Sequence, residues 1–405
     1  MKKLILFITA VLAGTTAVFA GGIDNKANLS TGYYRNPSRN TENKRPDAVF
    51  YNIAGTGFMD DGFYLEAGNQ FVFKEYSDEA NGTTYKDTQG VFFYPNAEIV
   101  YKKDKFAVFG AFAVFAGGGE LDYEDGTAAT ASLLAAKGLS GAAADHSLNV
   151  YSVTFGEIFG ASYKINDKIS VSAAGRLLEA NQKLSLKSPD STFNFVNGGD
   201  EVGYEASGIG FGGIFGIHVK PFDALDLSAQ YQTITKLDLK FDSLNGSLAS
   251  QMLGVSEGDT FNNDLPAVLN LGTGYQVLEP LYVNASFNYY FNKQADMDNV
   301  LAKKAYDYDN SWEAGAGLDY TVNKYLTAST GFMYSKQGSN DTSNNVFSPV
   351  LDSLTIGAGT EIKAMKTLTV STGVLYSKYF EKTYQTLDLN KKVFLFSLGA
   401  TFKPL

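Results

Sequence analysis

The 405-residue sequence contains no cysteine, two histidines and one tryptophan. Without cysteine there is no disulfide, so an exported chain of this length must be held by a large core or by closure of a sheet on itself. Basic residues are also in deficit. Lys and Arg number 33 against 43 Asp and Glu, a formal charge of −10, which makes nucleic acid or another polyanion a poor partner. Long hydrophobic runs are missing after Ala20, so insertion into a bilayer as a helix is excluded. Strands remain, and their backbone is satisfied in lipid only when the sheet closes into a barrel.

The one apolar stretch stands at the start. Met1-Lys2-Lys3, the run Leu4 to Val18 and the ending Val18-Phe19-Ala20 form the three zones of a secretory signal peptide, with cleavage expected after Ala20 and Gly21 as the mature N-terminus. The rest is rich in strand formers: 30 Phe, 25 Tyr and 41 Gly. Tyr and Phe suit pleated surfaces and the aromatic girdles of a membrane barrel.

Period-two alternation carries the fold reading. From Leu281 to Phe291 every odd position is apolar or aromatic, while the even ones are Asn, Ser or Tyr; Trp312 to Val322 and Leu354 to Ile362 repeat the pattern. About fourteen strands follow: 62–76, 91–102, 105–119, 147–164, 168–187, 204–219, 224–241, 264–277, 281–293, 307–322, 325–337, 351–363, 366–380 and 393–402. Their connections alternate strictly between short turns, such as Lys103-Asp104 and Ala364-Met365, and long loops, such as 120–146 and 242–263. That rhythm is the one of an outer-membrane barrel, with short periplasmic turns and long outer loops. A soluble β-sandwich or propeller has no reason to show it. The expected architecture is all-β: an antiparallel transmembrane barrel over 62–405, preceded by a segment, Gly21 to Asp61, long enough to fold inside it as a plug.

Two long connections, 127–144 and 244–255, are apolar enough to hold short helices, either as self-packing lids or as a greasy landing surface. Gly117-Gly118-Gly119 closes the third strand, where it either permits a bulge that opens the wall or simply begins a flexible loop. Chemistry is scarce. His146 lies beside a long loop and His218 near a short turn, at opposite ends of the barrel, which argues against a two-histidine metal site. Ser147 adjoins His146, but neighbours on a strand face opposite sides. Gly210-Phe211-Gly212-Gly213 looks like a dinucleotide loop without the strand-loop-helix unit it needs. No catalytic residue, metal or cofactor is expected.

The stretch Asp47-Ala48-Val49-Phe50-Tyr51-Asn52-Ile53-Ala54-Gly55-Thr56, together with Tyr94-Pro95-Asn96, Asp264-Leu265-Pro266 and Tyr308-Asp309-Asn310-Ser311-Trp312, resembles the long-chain fatty-acid transporter family of outer membranes (FadL-like), including its aromatic-hydrocarbon uptake relatives. Residues 47–56 look like the family's hatch motif, usually Asn-Pro-Ala-Gly, with Ile53 in place of the proline. The resemblance implies a fourteen-stranded barrel with an N-terminal hatch and a kinked third strand that releases hydrophobic ligands sideways into the membrane. It therefore implies passive transport of hydrophobic compounds, with a general diffusion porin as the alternative. Phe50, Tyr51, Asn52, Ala54 and Gly55 of the hatch and Gly117, Gly118 and Gly119 of the kink are the translocation residues it points to. With Ile169, Val171 and Ala173 facing lipid, Arg176 falls inside the lumen; there it suits a ligand carboxylate or an ion pair with Glu313 or Asp319. The expected partners are a hydrophobic small molecule, outer-membrane lipid and the barrel-assembly machinery, for which Phe402 is the expected C-terminal signal, and the chain is expected to act as a monomer.

Overall fold

The computed structural model describes residues 29–80, 83–87, 89–299, 304–305, 307–339, 350–384 and 387–404. The expected leader, 1–20, and the start of the segment that follows it lie outside the described residues.

Fourteen antiparallel strands close into a barrel. They are β1 (Gly62–Ala80), β2 (Val91–Lys103), β3 (Phe106–Tyr123), β4 (Ser147–Asn166), β5 (Ile169–Lys187), β6 (Glu201–Phe222) and β7 (Leu225–Gln232, resuming at Asp238–Asn245). After them come β8 (Thr260–Asn262, resuming at Val268–Leu278), β9 (Leu281–Tyr290), β10 (Ser311–Asn323), β11 (Leu326–Lys336), β12 (Ser353–Lys363), β13 (Leu368–Tyr379) and β14 (Leu387–Phe402). Closure is made by β1 against β14, in register from Leu65 opposite Phe402 to Glu79 opposite Asp388.

The barrel is inside out relative to a soluble domain. Phe63, Leu65, Phe211, Leu271, Phe287 and Ile356 are exposed on its outer face, while Gln70, Asn270, Ser286, Asn288, Glu313 and Ser397 are buried in the lumen. Alternation produces this directly, since successive side chains leave a strand on opposite faces.

The alternation locates every strand but misses two interruptions. The seventh strand, read as continuous over 224–241, breaks at 233–237, and the eighth, read from 264, has a short outer piece and resumes only at Val268. Pro266 lacks the N–H a ladder needs; beside it the Asp264 carboxylate accepts from the Leu237 N–H at 3.0 Å. Opposite the break runs Gly208-Ile209-Gly210-Phe211-Gly212-Gly213. A Cβ at Gly210 would strike the Lys236 carbonyl, so the glycines let segment 233–237 press against β6.

Residues 29–61 lie inside the barrel, nearly all of them buried. Helix α1 (Thr31–Arg35) packs on β12, β13 and β14; α2 (Ala48–Tyr51) leads into a 3-10 turn, Ile53–Phe58, that packs on β4, β5 and β6. On the outer side, α3 (Ala128–Ala136), α4 (Ser140–Ala144), α5 (Ser191–Asn197) and α6 (Ala249–Leu253) sit in the long loops. Their Leu133, Leu134, Phe193, Met252 and Leu253 are buried in the main apolar cluster. Apolar residues of both helical loops thus pack inward, as self-packing lids would; α5 adds an exposed Phe195.

Candidate functional site

The N-terminal segment is fastened to the wall by charges in a place with little water. Arg39 binds Asp47 at 2.7 Å and Glu42 at 2.5 Å; Arg35 reaches Glu361 of β12 at 3.2 Å, and Arg45 binds Glu361 as well. Burial by itself would raise the Glu42 carboxyl, but Arg39 and Arg45 outweigh it and hold the group well below the usual carboxylate range. Removing one partner of such a set strands buried charge, which costs about 3–5 kcal/mol. Glu361→Ala is therefore expected to leave the barrel closed and to speed hydrogen exchange across residues 29–61 by at least tenfold. Unchanged exchange would mean that the segment is held by shape alone.

The turn that resembles the hatch motif serves as a further anchor. The Asn52 amide meets His218 Nδ1 at 2.7 Å and donates to the Glu42 carbonyl at 3.0 Å. Ile53, where the family motif has proline, uses the N–H that proline lacks to reach Gln230 Oε1 at 2.9 Å. Thr56 pairs with Ser162 of β4 at 2.8 Å. Gly55 is required by space, since a Cβ there would collide with the Glu42 carbonyl. Ala54 is fully buried beside it. Tyr51 turns away, stacked on Tyr33 and bonded to Ser30.

Phe50 faces a different environment. With Phe115 of β3, Ile158 of β4, Arg176 of β5 and Leu265 and Pro266 at the break in β8, it lines an apolar cavity of about 50 Å³, whose rim also includes Leu29, Gln232, Val268 and Tyr290. That is room for a head group or one or two waters. Phe50 and Phe115 meet edge to face at 6.0 Å, and the Arg176 guanidinium lies 5.9 Å from the Phe115 ring.

Arg176 is 4% exposed. Its hydrogen bonds run to Gln232 Oε1 at 2.7 Å, Thr235 Oγ1 at 2.6 Å and the Thr233 carbonyl at 3.4 Å, all neutral acceptors. Among the described residues it makes no ion pair. The pairing expected with Glu313 or Asp319 is not formed: Glu313 is occupied by Asn288, Tyr290 and Ser335, and Asp319 lies nearest Arg45, at 3.8 Å. The N-terminal segment takes up the lumen, and its Arg45, rather than Arg176, reaches Asp319. Arg176 is thus a buried cation with only neutral partners beside an apolar cavity, an arrangement whose charge is not balanced locally.

Phe115 belongs to an irregular stretch of wall. The β3–β4 ladder shifts register between Val114 and Ala116 and again between Ala116 and Gly119. Gly117 and Gly119 have φ of +99° and +78°, which only glycine holds without strain. On its other edge β3 pairs with β2 only from Lys103–Phe106 to Ala97–Phe112. Beyond that point Val91–Asn96 and Ala113–Gly119 face each other without ladder bonds, a window about 20 Å long at ~3.3 Å per residue. Its outer end is tied by the Lys74–Asp87 ion pair at 3.0 Å and by Asp122 N donating to Asp87 Oδ1 at 2.9 Å.

Of the residues singled out by sequence, Arg176 and Phe50 share the cavity and Gly117–Gly119 form the adjoining bulge, while Tyr51, Asn52, Ala54 and Gly55 hold the N-terminal segment in place. Sequence reading missed Phe115, Gln232 and Thr235. The break in β7 brings in Gln232 and Thr235, and the register shift in β3 sets Phe115; alternation carries no signal for either irregularity.

Residues 95–395 match the family model described as outer membrane protein transport protein (OMPP1/FadL/TodX). No curated protein matches the sequence. Among solved structures, the chain is similar to a Pseudomonas aeruginosa FadL homologue at 17% identity and a TM-score of 0.69, over 92% of this chain and 98% of that one. It is also similar to the Pseudomonas putida toluene transporter TodX, at 16% identity, TM-score 0.64, and 90% and 96% coverage. The Ralstonia pickettii toluene transporter TbuX follows at 14%, 0.63, and 91% and 98%. At these identities the likeness is one of fold.

Proposed function

Because the chain belongs to the OMPP1/FadL/TodX family of outer membrane transport proteins, we propose that it takes up a hydrophobic acid of the long-chain fatty-acid class and releases it sideways through the window between β2 and β3. Residues 21–61 act as the hatch, after a leader cleaved behind Ala20. Transport is passive and needs no cofactor. The observation that carries the acidic head group is Arg176, a buried guanidinium bonded only to neutral groups at the edge of the cavity. A carboxylate there replaces weak neutral acceptors with a charge-assisted pair.

The cavity adjoins the β3 bulge through Phe115, so a ligand leaving it meets the window before it meets bulk water. Lateral release keeps the tail out of water at every step, which for an alkyl chain is worth about 0.8 kcal/mol per CH₂. Two of the structural neighbours are toluene transporters, and a neutral hydrocarbon leaves Arg176 without a charged partner. Competition between palmitate and toluene for the purified protein separates the two: palmitate is expected to bind more tightly, and preference for toluene would count against the acid.

A filled lumen also sets this reading apart from a diffusion porin. In planar bilayers the full chain is expected to pass no steady current, and deletion of residues 29–61 to open a large one. A steady large conductance from the intact chain would overturn the hatch.

A further inference from the structure

Building on the lateral route, we infer that Tyr94 is the gate residue of that route, closing the window between β2 and β3 and setting the girth of what passes. The β1–β2 ladder pairs Gln70 with Tyr94 but Val72 with Val91, leaving an extra residue in β2. Asn69 holds this bulge from both sides: its Oδ1 accepts from the Tyr94 N–H at 3.0 Å and its Nδ2 donates to the Phe92 carbonyl at 3.0 Å. As a result two successive phenylalanines, Phe92 and Phe93, are 58% and 77% exposed on the outer wall, whereas Tyr94 is 2% exposed.

From there the Tyr94 hydroxyl donates to the Gly117 carbonyl at 2.6 Å, crossing the gap where the β2–β3 ladder is missing. The ring and Val91 stand against Gly119: a Cβ there would lie 3.5 Å from Tyr94 Cε2 and 2.9 Å from Val91 Cγ2. Both bulges are therefore needed for one contact. The bulge in β2 aims the ring, and the bulge in β3 turns a free carbonyl towards it. Opening needs the Tyr94 side chain to rotate and give up its bond to the Gly117 carbonyl, since among the described residues no ladder bond spans the gap. The strands stay in place.

The absence of cysteine makes the test clean. A single cysteine at Ile158, inside the cavity, is reacted with maleimides dissolved in the bilayer of nanodiscs holding the full chain, one compact (N-ethylmaleimide) and one bulky (pyrene maleimide). Y94F, which keeps the ring and loses the bond, is expected to raise the rate for the compact reagent about 3- to 10-fold, the effect of one hydroxyl bond. Y94A is expected to admit the bulky reagent, which the native residue excludes. A heat-modifiability gel checks that each variant remains a closed barrel. Native rates for both Tyr94 variants, with labelling still abolished by G117V/G119V, overturn the gate and leave the lateral route standing. Labelling indifferent to all of these variants overturns the route as well.

Discussion

Replacing Arg176 with methionine is expected to weaken binding of palmitate about 10- to 150-fold while leaving the affinity for toluene unchanged. A hydrogen bond to a charged group contributes about 1.5–3 kcal/mol, and a tenfold change corresponds to about 1.4 kcal/mol. Methionine is shorter than arginine but keeps most of its side-chain volume and is flexible and apolar, so the cavity walls formed by Phe50, Phe115 and Ile158 keep a packing partner. The barrel itself should tolerate the change. Arg176 has no carboxylate partner to strand, and Gln232 and Thr235, which lose a donor, sit beside one another at the break in β7. Buried ionic groups replaced by apolar ones of similar volume are often neutral for stability. Titration of purified R176M with both ligands gives the answer: equal losses for palmitate and toluene would show that Arg176 shapes the cavity and does not read a head group.

The second large effect concerns the wall. G117V/G119V is expected to abolish uptake of palmitate by cells that lack the native protein, with the barrel still closed. Valine cannot hold φ of +99° or +78°, and a Cβ at Gly117 would run into the Ser152 carbonyl of β4. The bulge must flatten, and a flattened β3 offers residues 113–119 to the free edge of β2. Window closure then follows from the same ladder bonding that builds the rest of the barrel. The fold survives because thirteen other strands keep their pairings and β3 keeps its lower half with both neighbours. Undiminished uptake in a correctly folded variant would show that the ligand leaves by another path.

The two experiments probe links of different legibility. Arg176 could be placed in the lumen by counting residues, because side chains on a strand alternate without exception unless a bulge intervenes. Its partners could not, since Glu313 and Asp319 satisfy the same parity and only the path of the N-terminal segment decides that Arg45, not Arg176, reaches Asp319. The glycine cluster marked the site of the β3 bulge, but a window needs a second edge. That edge depends on where the β2–β3 ladder stops, and Tyr94 stands out in the sequence only as part of a family-like Tyr-Pro-Asn.

Number and order of strands, the polar lumen, the short and long connections and the parity of Arg176 were determined by the sequence alone, because a membrane barrel imposes one local rule, period two, on every strand. The breaks at 233–237 and 263–267, the cavity of Phe50, Phe115 and Arg176, the ion network around Glu361 and the Tyr94–Gly117 bond were decided only by the tertiary structure. Each joins residues from strands or segments far apart in the chain, or depends on where a ladder stops. Alternation says which way a side chain points and nothing about what it meets there.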